Sequence, residues 1–161
     1  QSVRGNYDKY DGKMVQSFPE GGYGCHLGNN GSPYMHTNSV AIEVCNFGYI
    51  VDGKTYAGQT ASASQIVTLK EPFRGYKTWH RYSDKQIENL RLWLLWIAER
   101  DNIDIREGLP SLIKEKGAKA FDFNSDAYYG KIKGVWTHTN TRRDKFDMFP
   151  QDELLEMLTN L

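Results

Sequence analysis

The feature that most constrains the fold of this chain is an amphipathic helix signal that starts at Ser83. Ser83 and Gln86 form the capping-box pattern of a helix N-terminus, and Asp84 adds a negative charge where the helix dipole favours one. Apolar residues then recur at helical spacing on one face: Ile87, Leu90, Trp93, Leu94, Trp96 and Ile97. Such a stripe is typical of a helix packed on a core, so we expect a long core helix and assign these residues no functional role.

Shorter periodic segments predict strands before and after this helix. Residues 13–18 predict a strand, and residues 40–45 predict a second, mostly buried one. Residues 49–56 predict a hairpin closed by a two-residue turn at Asp52-Gly53. Residues 132–138 predict a strand that ends at His138.

Helices and strands together define the predicted fold class. Residues 109–116 predict a short helix, residues 117–130 an irregular aromatic segment, and the residues after Pro150 a final helix. The leucines of that last helix are expected to pack inward: Leu154, Leu155, Leu158 and Leu161. We therefore predict one α/β domain over residues 1–161, with a central mixed β-sheet flanked by helices.

Charge and cysteine content exclude several classes of protein. The 20 basic and 20 acidic residues cancel, so no global field favours nucleic acid or an anionic membrane as a partner. No apolar run approaches the roughly 20 residues that a membrane-spanning helix requires. Cys25 and Cys45 form no CxxC pair, and we expect two free thiols.

Three side chains are candidates for chemistry on their pattern alone. His138 closes a predicted strand, and Asp147 follows nine residues later across a polar loop, where imidazole nitrogen and carboxylate oxygen could share a Zn²⁺ ion. A surface histidine and a capping aspartate fit the same pattern. Glu43 lies among apolar residues, either as a buried working carboxylate or on the solvent face of an edge strand. The local pattern leaves both pairs of interpretations open.

An ordered set of short motifs resembles a known family. The set comprises residues 11–16 (DGKMVQ), 25–28 (CHLG), 38–43 (NSVAIE), the helix start at residues 82–86, and His138 with Lys145 and Asp147 ahead of a Phe-Pro. In this order it resembles the type-2 N-acetylmuramoyl-L-alanine amidases, which include phage lysins and share their fold with peptidoglycan recognition proteins. The resemblance covers the chain from about residue 7 to residue 150.

The resemblance implies a role for each matching residue. His138 and Asp147 resemble two of three zinc ligands, Glu43 the catalytic acid–base, and Lys145 the cation that stabilises the oxyanion. His26 matches a position that lines the substrate groove. The implied activity is zinc-dependent cleavage of the muramoyl-alanine amide of peptidoglycan. It would act on the bacterial cell wall, with the protein held before that in a host cytoplasm or a virion.

One element of the family pattern is missing from the sequence. The family's first zinc ligand is a histidine on an early strand upstream of the Asp-Gly turn, and no histidine precedes Asp11 here. We expect one of three explanations: this strand was lost ahead of Gln1, a separate N-terminal segment or virion protein supplies it, or His36 substitutes for the missing zinc ligand. An open slot is then expected beside the Glu43 strand. The alternative function is a non-catalytic peptidoglycan-binding module or a phage tail structural domain of the same fold.

Overall fold

The computed structural model describes residues 2–3, 11–19, 22, 24–28 and 32–161, and for residues 2–3 it describes the backbone alone. Its strands are β1 (Ser2–Val3), β2 (Met14–Val15), β3 (Glu43–Val44), β4 (Ile66–Phe73) and β5 (Tyr76–His80). Its α-helices are α1 (Pro33–Thr37), α2 (Asp84–Asp101), α3 (Leu109–Lys116), α4 (Ser125–Tyr128), α5 (His138–Thr141) and α6 (Asp152–Thr159). Short 3₁₀ turns occur at Ala63–Gln65 and Gly117–Phe121.

Helix α2 confirms the prediction of a long capped helix. The Ser83 hydroxyl accepts a hydrogen bond from the Gln86 backbone N–H at 3.0 Å, and the Gln86 side chain accepts one from the Ser83 backbone N–H at 3.1 Å. The helix ends at Asn102, whose φ of 53° is left-handed and stops the helical repeat. Trp96, predicted on the core face, is instead 43% exposed, and the Arg100 guanidinium lies over its ring.

Strands β4 and β5 form an antiparallel hairpin that the sequence analysis did not predict. Arg74 and Gly75 close it with φ angles of 49° and 86°, which is the backbone twist of a tight hairpin turn. The hairpin carries Trp79, which is fully buried. Phe149 stacks on Trp79 and on Tyr82 with ring centroids 4.7 Å away in both cases, and this stack joins the hairpin to α2 and to the loop before α6.

The predicted central sheet is wrong in detail, although the α/β class is confirmed. Strands β2, β1 and β3 form one small sheet in that order, with β1 antiparallel to β2 and parallel to β3. Strands β4 and β5 form a second sheet. The two predicted strands in the first sheet are shorter than expected, since only Met14–Val15 and Glu43–Val44 pair.

The strand predicted at residues 132–138 is also wrong. Val135 makes a single parallel bridge to Gly108, and Gly134 has a φ of 106°, outside the strand region. The contact with Gly108 is so close that a Cβ atom there would lie 2.6 Å from the Val135 carbonyl oxygen. His138 therefore begins helix α5 and does not end a strand.

Several shorter predictions are confirmed. The turn at Asp52-Gly53 forms, with reciprocal backbone hydrogen bonds of 3.0 and 2.9 Å between Val51 and Lys54. Helix α3 has the predicted bounds, and α6 begins at Asp152, just after Pro150, with Leu154 and Leu158 buried and Leu155 and Leu161 half-buried. The segment predicted as irregular contains one 3₁₀ turn and α4. Within the described ranges, no helix has the length and apolar content needed to cross a membrane.

Candidate functional site

A cavity of about 600 Å³ brings together five of the residues predicted to carry chemistry, whereas His36 does not line it. Its walls include Glu43 from β3, His138 from α5, and Lys145 and Asp147 from the loop that follows α5. His26, from the loop before α1, lines the same cavity. Residues separated by more than 100 positions in sequence therefore face one space.

His138 and Asp147 are in direct contact. The His138 Nδ1 atom lies 2.8 Å from the Asp147 Oδ2 atom, and the two side chains are 18% and 52% exposed. The proximity expected from the sequence is therefore found, while ligation of a metal by this pair stays a prediction.

The local sequence fixes the backbone that carries His138. Thr137 caps α5 by a capping box with Asn140, as Ser83 does for α2. The Asn140 side chain is fully buried and donates hydrogen bonds to the carbonyls of Ala120 and Asp122 at 2.8 and 2.9 Å. His138 is thus the first residue of a short helix that is anchored in the core.

The second ring nitrogen of His138 also has a partner. Its Nε2 atom lies 2.9 Å from the backbone carbonyl oxygen of His26, which accepts only. The hydrogen bond to Asp147 raises the pKa of His138, and burial opposes this without cancelling it. Burial of the Asp147 carboxyl raises its pKa, but the hydrogen bond and charge of His138 outweigh burial and leave that pKa below its ordinary value. Both ring nitrogens of His138 thus face acceptor oxygens, and the two pKa shifts favour an imidazolium–carboxylate pair when no metal is bound.

Glu43 lies within electrostatic reach of both cavity histidines. Its negative charge is a smaller contribution to the raised pKa of His138, after the hydrogen bond and charge of Asp147. It also opposes the burial that lowers the pKa of His26. Glu43 is exposed, so the prediction of a mostly buried strand at residues 40–45 is wrong; Val40 is also 39% exposed. The segment is accessible because it borders the cavity.

Lys145 is half-buried at the cavity wall. Its positive charge is among the influences that lower the pKa of Asp147, after those of His138. A lysine side chain therefore lines the same cavity as the His138–Asp147 pair and Glu43.

His26 and His36 are held by nearby backbone carbonyls and by one hydroxyl. The His26 ring contacts the Gly24 carbonyl at 3.0 Å and the Ser39 hydroxyl at 2.8 Å. His36 Nε2 contacts the Gly28 carbonyl at 3.2 Å, and its ring meets that of His26 edge-on at 5.6 Å. Among the residues that the structure describes, no group of three or more His, Cys, Asp and Glu side chains is placed to hold a metal ion. His36 is not among the residues that line the cavity, and its substitution for the third zinc ligand stays a prediction.

Arg74 is a residue of the site region that sequence reasoning missed. From the β4–β5 turn its guanidinium donates hydrogen bonds to the carbonyls of Thr139 at 2.9 Å, of Arg142 at 3.5 Å, and of Arg143. These carbonyls belong to the end of α5 and the loop that leads to Lys145. The Arg-Gly pair between two strand-like segments indicates a turn, but no sequence pattern indicates which carbonyls the arginine would contact.

Strand β3 has a partner along one edge. It pairs with β1, and the structure gives it no other strand partner within the described ranges. The cavity extends from β3 to apolar side chains of α2, including Leu90, Trp93 and Ile97. The sequence predicts an open slot beside the Glu43 strand, but the N-terminal strand β1 occupies one edge of β3. Whether a further strand lies along the other edge stays a prediction.

Comparison of the chain with protein-family models, curated proteins and solved structures found no match. The resemblance to amidases in the sequence thus gains no support from relatives. The evidence for a function is therefore the geometry of the cavity and the chemistry of its side chains.

Proposed function

We propose that this chain hydrolyses the amide bond between N-acetylmuramic acid and L-alanine in peptidoglycan. One observation carries the proposal: an imidazole–carboxylate pair, a second carboxylate and a lysine line the same cavity. These groups are His138 with Asp147, Glu43, and Lys145. Amide hydrolysis needs an activated water, a proton carrier and a positive group near the carbonyl oxygen, and this set can supply all three functions.

The cavity offers two donor atoms of the kinds that bind Zn²⁺. Imidazole nitrogen and carboxylate oxygen are ordinary zinc ligands, and the two atoms already lie 2.8 Å apart. The hydrogen bond from His138 Nε2 to a backbone carbonyl is the contact that usually orients a metal-bound imidazole, and it leaves Nδ1 directed at Asp147. His138 and Asp147 would hold the ion, which would polarise the amide carbonyl and lower the pKa of a bound water.

Glu43 is the proton carrier in this proposal. Its carboxylate takes a proton from the attacking water as the water oxygen bonds to the lactyl carbonyl carbon. It then delivers that proton to the alanine nitrogen as the carbon–nitrogen bond breaks. The products are a muramic acid carboxylate and a free alanine amine. The exposed position of Glu43 on the cavity wall leaves its carboxylate accessible to water and substrate.

Lys145 stabilises the negative charge that develops on the carbonyl oxygen. Its place in the cavity lining supports this role, and its charge is among the influences that lower the pKa of Asp147. A partly buried cation needs little reorganisation as the charge forms, and this is the condition under which such groups contribute most.

One observation favours a peptidoglycan-binding module of the same fold as the alternative function. A catalytic zinc usually has three protein ligands, and the described residues group only two of the expected kind. A binding module would hold the muropeptide in the cavity without cutting it. The two functions differ in whether new alanine amino groups appear when peptidoglycan is added.

The test is cleavage by a Glu43→Gln variant in the presence of zinc. We expect cleavage of the muramoyl-alanine bond to fall by roughly 10²–10⁴-fold, because the proton carrier is lost while the metal ligands remain. Glu71→Gln is the matched control, since Glu71 is an exposed glutamate of β4 that does not line the cavity. Unchanged cleavage by Glu43→Gln removes Glu43 from the mechanism, and no cleavage by the unmodified protein favours the binding module.

A further inference from the structure

An aromatic patch adjoins the candidate site, and the proposed chemistry does not use it. We define it as Phe47, Tyr49, Tyr56 and Phe146, which all line the cavity. Tyr56 is 73% exposed and Phe146 is 38% exposed, while Phe47 and Tyr49 are half-buried. Exposed large aromatic side chains beside a cavity are typical of a binding surface.

The half-buried rings of the aromatic patch are held by contacts with neighbouring aromatic side chains. Tyr49 stacks on Tyr76 with ring centroids 3.8 Å apart and planes 7° apart, and it meets Phe146 edge-on at 5.6 Å. Phe47 packs edge-on against the buried His80 ring at 5.2 Å. These contacts fix the half-buried rings in place, so little side-chain entropy is lost when a ligand binds.

Tyr56 is presented by a short ordered turn. The neighbouring Thr55 is buried, and it exchanges hydrogen bonds with Gln59 through its backbone N–H at 2.9 Å and through its hydroxyl at 3.3 Å. The Tyr56 ring therefore projects from a fixed backbone and lies 6.4 Å from the Phe47 ring. An exposed ring on an anchored turn is a feature of a preorganised contact.

We infer that the aromatic patch binds the glycan strand of the substrate by stacking against sugar rings, an inference that rests on the proposed function. The flat C–H face of an N-acetylhexosamine matches an exposed aromatic ring, and its hydroxyl and acetamido groups remain in water. None of the four patch side chains is charged at neutral pH. A stem peptide carries ionised carboxylates and would favour a charged surface, so the uncharged patch fits the glycan better.

The position of the patch sets the orientation of the substrate. Phe146 lies between Lys145 and Asp147 in the chain, so the patch is continuous with the groups proposed to act on the amide. We therefore expect a muramoyl ring stacked on the patch to direct its lactyl amide toward the His138–Asp147 pair. The glycan contact is thus a determinant of specificity for polymeric cell wall over free peptide.

The experiment uses N,N′,N″-triacetylchitotriose, which has the sugar ring of the glycan but neither stem peptide nor muramoyl amide. We expect it to bind the unmodified chain and to shift backbone amide signals of residues 46–56 and 146 in ¹H–¹⁵N correlation spectra. Tyr56→Ala should weaken binding by about three- to tenfold, the range expected for loss of one aromatic contact. Tyr56→Phe should retain it. Tyr129→Ala is the control, because Tyr129 is 61% exposed and packs on Tyr128 outside the cavity lining.

The outcomes separate this inference from the proposed function. Trisaccharide binding that depends on Tyr56 supports the glycan patch even if no amide is cleaved. Absence of binding at millimolar trisaccharide overturns the inference, as does equal binding by Tyr56→Ala. A Tyr56-dependent interaction with free stem peptide, without trisaccharide binding, also overturns it and assigns the patch to peptide. Melting temperatures of the variants establish that each is folded before binding is compared.

Discussion

Lys145 is the residue whose replacement best isolates electrostatic stabilisation from metal binding. It lines the cavity but lies outside the His138–Asp147 contact. We expect Lys145→Met to lower cleavage by about 10²–10³-fold with zinc affinity nearly unchanged, because an oxyanion partner is lost and no ligand is. Isothermal titration with zinc measures the affinity, and a cleavage assay on the same sample measures the activity. Lys133→Met, at an exposed position outside the cavity lining, is the control. Equal losses in both variants would contradict the assignment.

His80 predicts a pH dependence of stability that is independent of the site chemistry. The ring is 3% exposed, and burial lowers its pKa below the ordinary value of 6.5. As pH falls below 6.5, the unfolded chain binds a proton at His80 before the folded chain does. The free energy of unfolding therefore decreases as the pH falls through this window. The stability that the neutral His80 contributes is fully present at higher pH.

The measurement for His80 is denaturant unfolding between pH 5 and pH 8, which gives the change in unfolding free energy with pH. His26, whose pKa is lowered, adds to this change, and His138, whose pKa is raised, opposes it. The difference between the unmodified chain and His80→Gln therefore isolates the contribution of His80. We expect the unmodified chain to lose up to about 1.4 kcal/mol more per pH unit. Identical pH slopes would show that His80 is protonated equally in both states.

At the scale of elements, the β4–β5 hairpin controls the loop of the site through Arg74. Its guanidinium spans three carbonyls between Thr139 and Arg143, and so links the hairpin turn to the end of α5. We expect Arg74→Met to lower zinc affinity and cleavage together by about 10–100-fold, the usual cost of losing a group that orients metal ligands. Arg74→Lys should recover part of the loss.

The control for Arg74 is Arg91→Met, which removes an α2 guanidinium that pairs with Glu88 at the surface. Far-UV circular dichroism establishes that both variants retain their helices. If Arg74→Met cleaves as fast as the unmodified chain, the loop holds its geometry without the hairpin. A loss of zinc affinity in Arg91→Met would show that the effect is not specific to the hairpin contact.

Local sequence signals predicted the elements whose causes are local. The capping box of α2 and the Asp52-Gly53 turn are each determined by residues within four positions, and both form. The strand predicted at residues 132–138 does not form, since Gly134 has a φ of 106° and only Val135 pairs, through one bridge to Gly108. The β4–β5 hairpin is stabilised by burial of Trp79 against distant aromatic rings, which periodicity does not report.

The contacts of the candidate site also differ in whether the sequence predicts them. The contact between His138 and Asp147 was expected from their spacing together with the family resemblance, because the spacing alone fits a surface histidine and a capping aspartate equally well. The carbonyl of His26 at the other ring nitrogen comes from a residue 112 positions away, and the sequence gives no sign of it. The same holds for Arg74, which is 65 positions from its first carbonyl partner. Such contacts depend on the packed fold and cannot be found from spacing alone.

At the scale of the whole molecule, the cavity is lined by β3, by α2, and by Leu109 of α3 and Leu158 of α6. The apolar side extends to α2, and the polar side carries Glu43, His138, Lys145 and Asp147. This arrangement separates an apolar wall from a wall that carries charged groups. A site of this form can exclude water on one side while it holds charged groups on the other.

Zinc-dependent cleavage by this cavity is tested by mass spectrometry of peptidoglycan incubated with the protein, which is first stripped of metal by a chelator and then titrated with Zn²⁺. We expect peptides with a free N-terminal alanine to appear as zinc is restored, and we expect Asp147→Ala to abolish their release. Release by the chelator-treated protein, or cleavage of any other bond, would contradict cleavage of the muramoyl-alanine bond with zinc held by His138 and Asp147.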